Sequence, residues 1–72
     1  MDPVFIPVQS SNVSEISYDP DTQELLVRFV NGSLYKYLDV PENVYKSFLR
    51  APSKGKFVNN RLKNRYPYLR VE

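Results

Sequence analysis

Asn31-Gly32 sits between two runs of alternating apolar residues, Leu25 to Val30 and Ser33 to Leu38. Flanked in this way, the dipeptide is the strongest short-range signal for an antiparallel hairpin, since both residues accept left-handed backbone. A chain with this hairpin at its centre is committed to an antiparallel sheet, and its remaining segments must cover that sheet. Leu25, Val27 and Phe29 share one face. A strict two-residue turn pairs Phe29 with Leu34 and places Tyr35 and Tyr37 opposite Val27's face. One more turn residue, with glycine left-handed in a bulge, pairs Phe29 with Tyr35 and Val27 with Tyr37. The bulged register is the expected one, because it sends Arg28 and Lys36 outward together and a one-residue slip would exchange every face.

Other elements follow from local chemistry. Val4 to Val8 contains Pro7, which cannot donate to a ladder, so it is an edge strand at best. Val13 to Tyr18 reads as a strand, and Asp19-Pro20-Asp21-Thr22 as a turn. Val40-Pro41-Glu42 starts a helix, with proline at the first helical position, that carries Val44, Phe48 and Leu49 as its apolar stripe and ends at Pro52. Ser53 caps a second helix from about Lys54 to Arg65, with Val58, Leu62 and Tyr66 on one side and Lys56, Asn60, Lys63 and Asn64 on the other. Leu69 to Val71 forms a last short strand. The expected fold is α+β: an antiparallel β-meander of three to four strands, with two C-terminal helices packed on one face.

The length of 72 residues is sufficient for one domain, assigned to residues 1–72. With no cysteine and no histidine, the chain has no disulfide, no thiolate nucleophile and no zinc knuckle, and lacks the commonest general base. Asp19 and Asp21 are too few for a calcium loop. No cofactor, metal or membrane partner is expected. Neither a membrane span nor a signal peptide is legible, so a cytoplasmic location is expected. No spacing of nucleophile and base stands out, and the chain is read as non-catalytic. Charge is segregated: residues 1–42 hold seven acids against two bases, a net of −5, and residues 43–72 hold eight bases against one acid, a net of +7. Such a basic end steers an anionic partner or draws the two halves of the chain together.

Several spacings go beyond generic patterning: paired Ser10-Ser11 before the first full strand, Tyr18-Asp19 at its end, Val27-x-Phe29, Gly32 and Tyr35-x-Tyr37 in the hairpin, Val40-Pro41, then Ala51-x-Ser53-x-Gly55-x-Phe57-x-Asn59. This constellation, over roughly residues 8–66, resembles the KTSC domain, a module at the C-terminus of some lysyl-tRNA synthetases that also occurs as free-standing small bacterial and phage proteins. The resemblance implies a compact α+β module and no established activity; the synthetase association makes RNA a natural partner to consider.

Two partner classes result, and the chain is read first as a small binding module with a protein-interaction or regulatory role. A protein partner or a second copy would use the outer hairpin face, Leu26, Arg28, Val30, Leu34, Lys36 and Leu38, whose apolar strip needs a cover. The N-terminal segment is an alternative cover. Nucleic acid, as RNA, tRNA or another single strand, would use the basic C-terminal helix: Lys54, Lys56, Arg61, Lys63 and Arg65 with Tyr68, cations for phosphates and rings for bases. The competing account makes Val58, Leu62 and Tyr66 core and the lysines a solvated face. Ser53, Lys54, Gly55 and Asn59 form a candidate anion nest at the helix start, with Ser10, Ser11 and Asn12 nearby, against the simpler account of a cap and a close-packed glycine. Tyr18, Tyr35 and Tyr37 form either a stacking platform or core; the bulged register favours core.

Overall fold

A computed structural model of the chain describes residues 3–72. Five strands, β1 (Ile6–Pro7), β2 (Val13–Asp19), β3 (Glu24–Phe29), β4 (Leu34–Tyr37) and β5 (Tyr68–Arg70), form one antiparallel sheet in sequence order. Both short edge strands pair fully, so the meander has five strands rather than three to four. Two helical segments lie across one face: α1 (Glu42–Arg50) and α2 (Lys54–Phe57). Their inward residues join alternate sheet residues in one core, comprising Val13, Ile16, Leu25, Val27, Tyr37, Val40, Phe48, Phe57, Val58 and Leu62. The Phe48 and Phe57 rings stack at 5.0 Å and lock α1 to α2.

The hairpin has the expected face parity but a different pairing. Val27 opposes Tyr35 and Leu25 opposes Tyr37, two residues away from the expected partners. The turn takes in Val30: Gly32 N donates to Phe29 O at 2.9 Å and Phe29 N to Ser33 O at 2.8 Å, enclosing a three-residue loop. Gly32 is left-handed at φ 96°, and Asn31 Oδ1 accepts from Ser33 N at 3.0 Å. The glycine bulge therefore occurs, on the Val30 side of the turn.

Helix limits also differ. Pro41 is the cap residue of α1 (φ −66°, ψ 154°) rather than its first helical residue. Phe48 is buried on α1 and Val44 half-buried, but Leu49 is 40% exposed and lies outside the stripe. The second helix does not continue as α to Arg65: after Phe57 it widens into a π-helical turn, Val58–Leu62, closed by Lys63 N on Val58 O at 2.8 Å. Val58 and Leu62 are core and Tyr66 packs half-buried against it, while Lys56, Asn60, Lys63 and Asn64 are exposed.

The outer sheet face is closed by charge as well as by carbon. Arg28 donates to Glu15 at 3.0 Å, Glu72 at 3.2 Å and Gly32 O at 3.3 Å, and its guanidinium lies 5.6 Å from the Phe5 ring centre. One arginine thus ties β2, the hairpin turn and both terminal segments together, with the N-terminal segment supplying part of the cover. These carboxylates raise its pKa still further.

Candidate functional site

Between the second helical segment and the β4–β5 part of the inner sheet face lies an open groove of about 700 Å³. Its floor is aromatic. Phe29 meets Tyr35 edge-on at 5.5 Å, and Tyr68 lies 5.7 Å from Tyr35 and 5.6 Å from Tyr37. Strand alternation produces this floor: Tyr35 and Tyr37 point the same way two residues apart, and β5 brings Tyr68 opposite Tyr37. Tyr37 is only 3% exposed, whereas Tyr68 is 46% exposed. Burial, with smaller contributions from the Tyr68 and Tyr35 phenols, pushes the Tyr37 hydroxyl up to about 12. Gly55, Val58, Asn59 and Lys63 make one wall, and Ser11, Asn12, Asn31 and Ser33 the polar rim.

The basic residues expected to contact nucleic acid are divided by the structure. Lys63 and Tyr68 line the groove, whereas Lys56, Arg61 and Arg65 are exposed on the same helical segment and its exit and do not line it. Arg61 lies over the Phe57 ring at 5.2 Å. Lys54 is directed elsewhere: its ammonium donates to Ala51 O at 2.6 Å and Leu49 O at 3.1 Å, satisfying carbonyls at the end of α1. Arg70, the last cation of the basic segment, donates to Glu72 O at 3.1 Å and reaches Ser33 Oγ, on the groove's rim, at 3.4 Å. Among the described residues the ion pairs are Arg28 with Glu15 and Glu72, Lys36 with Glu24, and Lys46 with Glu42. Lys56, Arg61, Lys63, Arg65 and Arg70 take part in none of them.

At the candidate anion nest, Ser53 Oγ accepts from Lys56 N at 3.3 Å, as a cap does. Gly55 is buried against Asn12, Lys54 is committed to α1, and Asn59 lines the groove. On the outer face, Leu34 is only 5% exposed and Leu26 and Leu38 are half-buried, while Arg28 and Lys36 are ion-paired across the sheet. Val30 is exposed but belongs to the turn, where it lines the groove. Of the three sheet tyrosines, Tyr37 is core. Tyr18 stacks on Tyr45 of α1 at 4.5 Å and donates its hydroxyl proton to Val40 O. Tyr35 is half-buried and forms groove floor rather than core alone. Phe29, Asn31 and Ser33 join the groove without a sequence signal of their own; the same-parity Tyr35-x-Tyr37 with Tyr68 is the one the sequence offers.

The KTSC domain family model matches residues 9–66. The chain belongs to the KTSC domain family. Its KTSC fold superposes on the crystal structure of a KTSC domain protein from Yersinia pestis with a TM-score of 0.90 at 35% identity, covering 99% of this chain and 100% of the other. A protein of Tsukamurella paurometabola is 43% identical over 60 residues, covering 83% of this chain and 90% of that protein. The lysine–tRNA ligase of Nostoc punctiforme is 35% identical over 60 residues, 83% of this KTSC chain but 11% of the ligase.

Proposed function

We propose that this KTSC domain is a binding module that takes a short unpaired stretch of RNA, with a base on the Tyr35–Tyr37–Tyr68 floor and the phosphates along α2 and its π-helical turn. The observation that carries the reading is the coincidence of an open aromatic floor with Lys63 on its wall and further cations on the same helical segment that form no ion pair among the described residues. Single-stranded nucleic acid makes both demands at once, since rings stack on bases and cations replace the condensed counterions of phosphates. The outer hairpin face is less suited to a partner, because its leucines are largely covered and its charges are matched within the chain. The lysine–tRNA ligase relatives place similar segments beside an RNA-handling enzyme, which favours RNA over DNA.

The test is a titration of the labelled domain with short single-stranded RNA, followed by amide shifts and anisotropy. Shifts are expected at Tyr68, Asn59, Lys63 and the Asn31 turn. About three phosphate contacts, from Lys56, Lys63 and Arg65, give a slope of log affinity on log salt near −2. Tyr68→Ala is expected to weaken binding roughly 5- to 150-fold, equivalent to ~1–3 kcal/mol for one stacked base. Lys63→Glu should weaken binding and flatten the salt slope. No shifts at low salt, or affinity indifferent to both substitutions, overturns the reading. Equal affinity for DNA of the same sequence would retain the groove but remove the preference for RNA.

A further inference from the structure

The sheet ends in two edges, β1 and β5, and only one of them is guarded. In β1, Val8 N donates to Ser14 O at 3.2 Å and Ile6 pairs with Ile16. An antiparallel strand turns its backbone groups to alternate sides, so Pro7 is the β1 residue that faces away from the sheet. Proline has no N–H to give, and a strand approaching this edge finds no donor there. In β5 the same alternation leaves the edge complete. Pro67 O accepts from Leu38 N at 2.8 Å and Val71 N donates to Leu34 O at 2.7 Å, so Pro67, Leu69 and Val71 turn towards β4. Tyr68 and Arg70 turn the other way, and their backbone N–H and C=O groups have no partner among the described residues. Side chains divide by face as well. Leu69 and Val71, 56% and 49% exposed, lie on the outer face with Pro67, and Tyr68 and Arg70 lie on the groove side.

A bare edge of this kind is a template for a further strand. We infer that its occupant is β5 of a second copy of this chain, antiparallel, with Leu69 opposite Leu69 across a two-fold axis normal to the sheet. The edge is complementary to itself in that register. Tyr68 opposes Arg70 of the second copy and Arg70 opposes its Tyr68, so every outward N–H and C=O of both strands is paired. On the outer face, Pro67, Leu69 and Val71 meet Val71, Leu69 and Pro67 in an apolar seam without a charge. The neighbouring registers of the same parity are worse. One sets Arg70 against Arg70, a like-charge pair, and the other sets Arg70 against Tyr66, which precedes the strand. The seam is only a few residues long, which makes the pair a weak and transient one. It doubles the five-stranded sheet and brings the Tyr68 ends of two grooves side by side on one face. The pairing depends on the edge alone and holds whether or not the groove takes RNA.

The test uses the whole chain, which has no native cysteine. Leu69→Cys puts two thiols at the centre of the seam, a non-hydrogen-bonded position with Cα atoms about 4.5 Å apart, inside the disulfide range of about 4.4–6.8 Å. Under mild oxidation it should form covalent dimer about tenfold faster than Arg70→Cys or Lys56→Cys, because a thiol held beside its partner acts at an effective concentration in the millimolar range. Adding Arg70→Pro to Leu69→Cys deletes one outward donor and no bond to β4, and should return the reaction to the control rate. In the unsubstituted chain, the amide signals of Tyr68, Leu69 and Arg70 should shift as concentration rises into the millimolar range, and sedimentation should show the mean mass rising with them. Arg70→Pro and Leu69→Asp should each abolish this dependence, while unmoved Leu34 and Leu38 amides show that β5 is still docked on β4. A monomer throughout that range, a dimer indifferent to both substitutions, or Arg70→Cys reacting as fast as Leu69→Cys would each overturn the pairing.

Discussion

Substituting Gly55 by alanine sets two effects of opposite sign against each other, and the structure decides between them. Gly55 is helical, and alanine there should gain about 1 kcal/mol from its better helix propensity. Its new Cβ, however, would stand 2.5 Å from Asn12 Nδ2, 3.2 Å from Cγ and 3.3 Å from Cβ. Rotation of the amide alone relieves only the first of these contacts. The whole Asn12 side chain has to give, which breaks its 3.3 Å hydrogen bond from Ser11 Oγ, and overpacking of this kind costs about 1–3 kcal/mol. The net expectation is a loss of up to ~2 kcal/mol, with a central value near 1. Urea denaturation reads this as a lower midpoint at unchanged slope. The control is the same substitution in an Asn12→Ala background, where only the 3.3 Å Cβ contact remains. There Gly55→Ala should be neutral or stabilising, and the coupling between the two sites should exceed about 0.5 kcal/mol. Equal effects in both backgrounds would refute the close approach of Asn12 and Gly55.

Two further outcomes follow from the core. Phe48→Ala empties a fully buried site stacked on Phe57 and should cost about 3–5 kcal/mol, most of the stability a chain of this size has; calorimetry should show a melting temperature lower by at least about 12 °C or no transition at all. Alkali should destabilise the domain through Tyr37, whose hydroxyl ionises near pH 12 when folded against 10.0 when exposed. Because the folded value is the raised one, stability is complete below pH 10 and falls as pH rises towards 12, by up to about 1.4 kcal/mol per pH unit for this group. Tyr18 and Tyr45 are shifted the same way and add to the slope. Tyr37→Phe should flatten the fall of stability between pH 10 and 12, and an unchanged slope in that variant would contradict this.

The layout of the fold was legible because it rests on periodicity, which sequence carries directly. Alternation assigned Leu25, Val27 and Tyr37 to the core face and Arg28 and Lys36 to the other, and the structure agrees on every one. Pairing was less legible, because it depends on how a turn closes. Asn31-Gly32 as a two-residue turn needs both residues at positive φ, yet only Gly32 has it; Asn31 instead uses its side chain to accept from Ser33 N. Against the bulged register expected here, the loop takes in Val30 in place of Ser33 and the partner strand moves by two residues, which conserves faces and so leaves no trace in the hydrophobic pattern. The π-helical turn at Val58–Leu62 was invisible for a related reason: it leaves Val58 and Leu62 buried, as an uninterrupted α-helix would.

The groove was legible only as separate parts, and the reason is geometric. Its floor draws on β3, β4 and β5, its wall on α2 and the turn after it, and its rim on the segment before β2. The hairpin window 29–37 holds much of the floor and part of the rim, but Ser11-Asn12, the helical wall and Tyr68 come from three other stretches of the chain. What the sequence did contain was a set of residues with local explanations: serines as turn formers, a glycine as a helix irregularity, lysines as a wet helix face. For Lys54 and Ser53 the local explanation is the structural one, since both satisfy helix ends. It fails to account for Asn12, Gly55 and Tyr68. A capping serine needs no asparagine that also accepts from Val30 N and Ser11 Oγ, a helix needs no glycine at its second residue, and a three-residue edge strand gains little from an exposed tyrosine ring laid beside two others. Their convergence on one opening, beside a Lys63 that forms no ion pair among the described residues, is the argument for a ligand there.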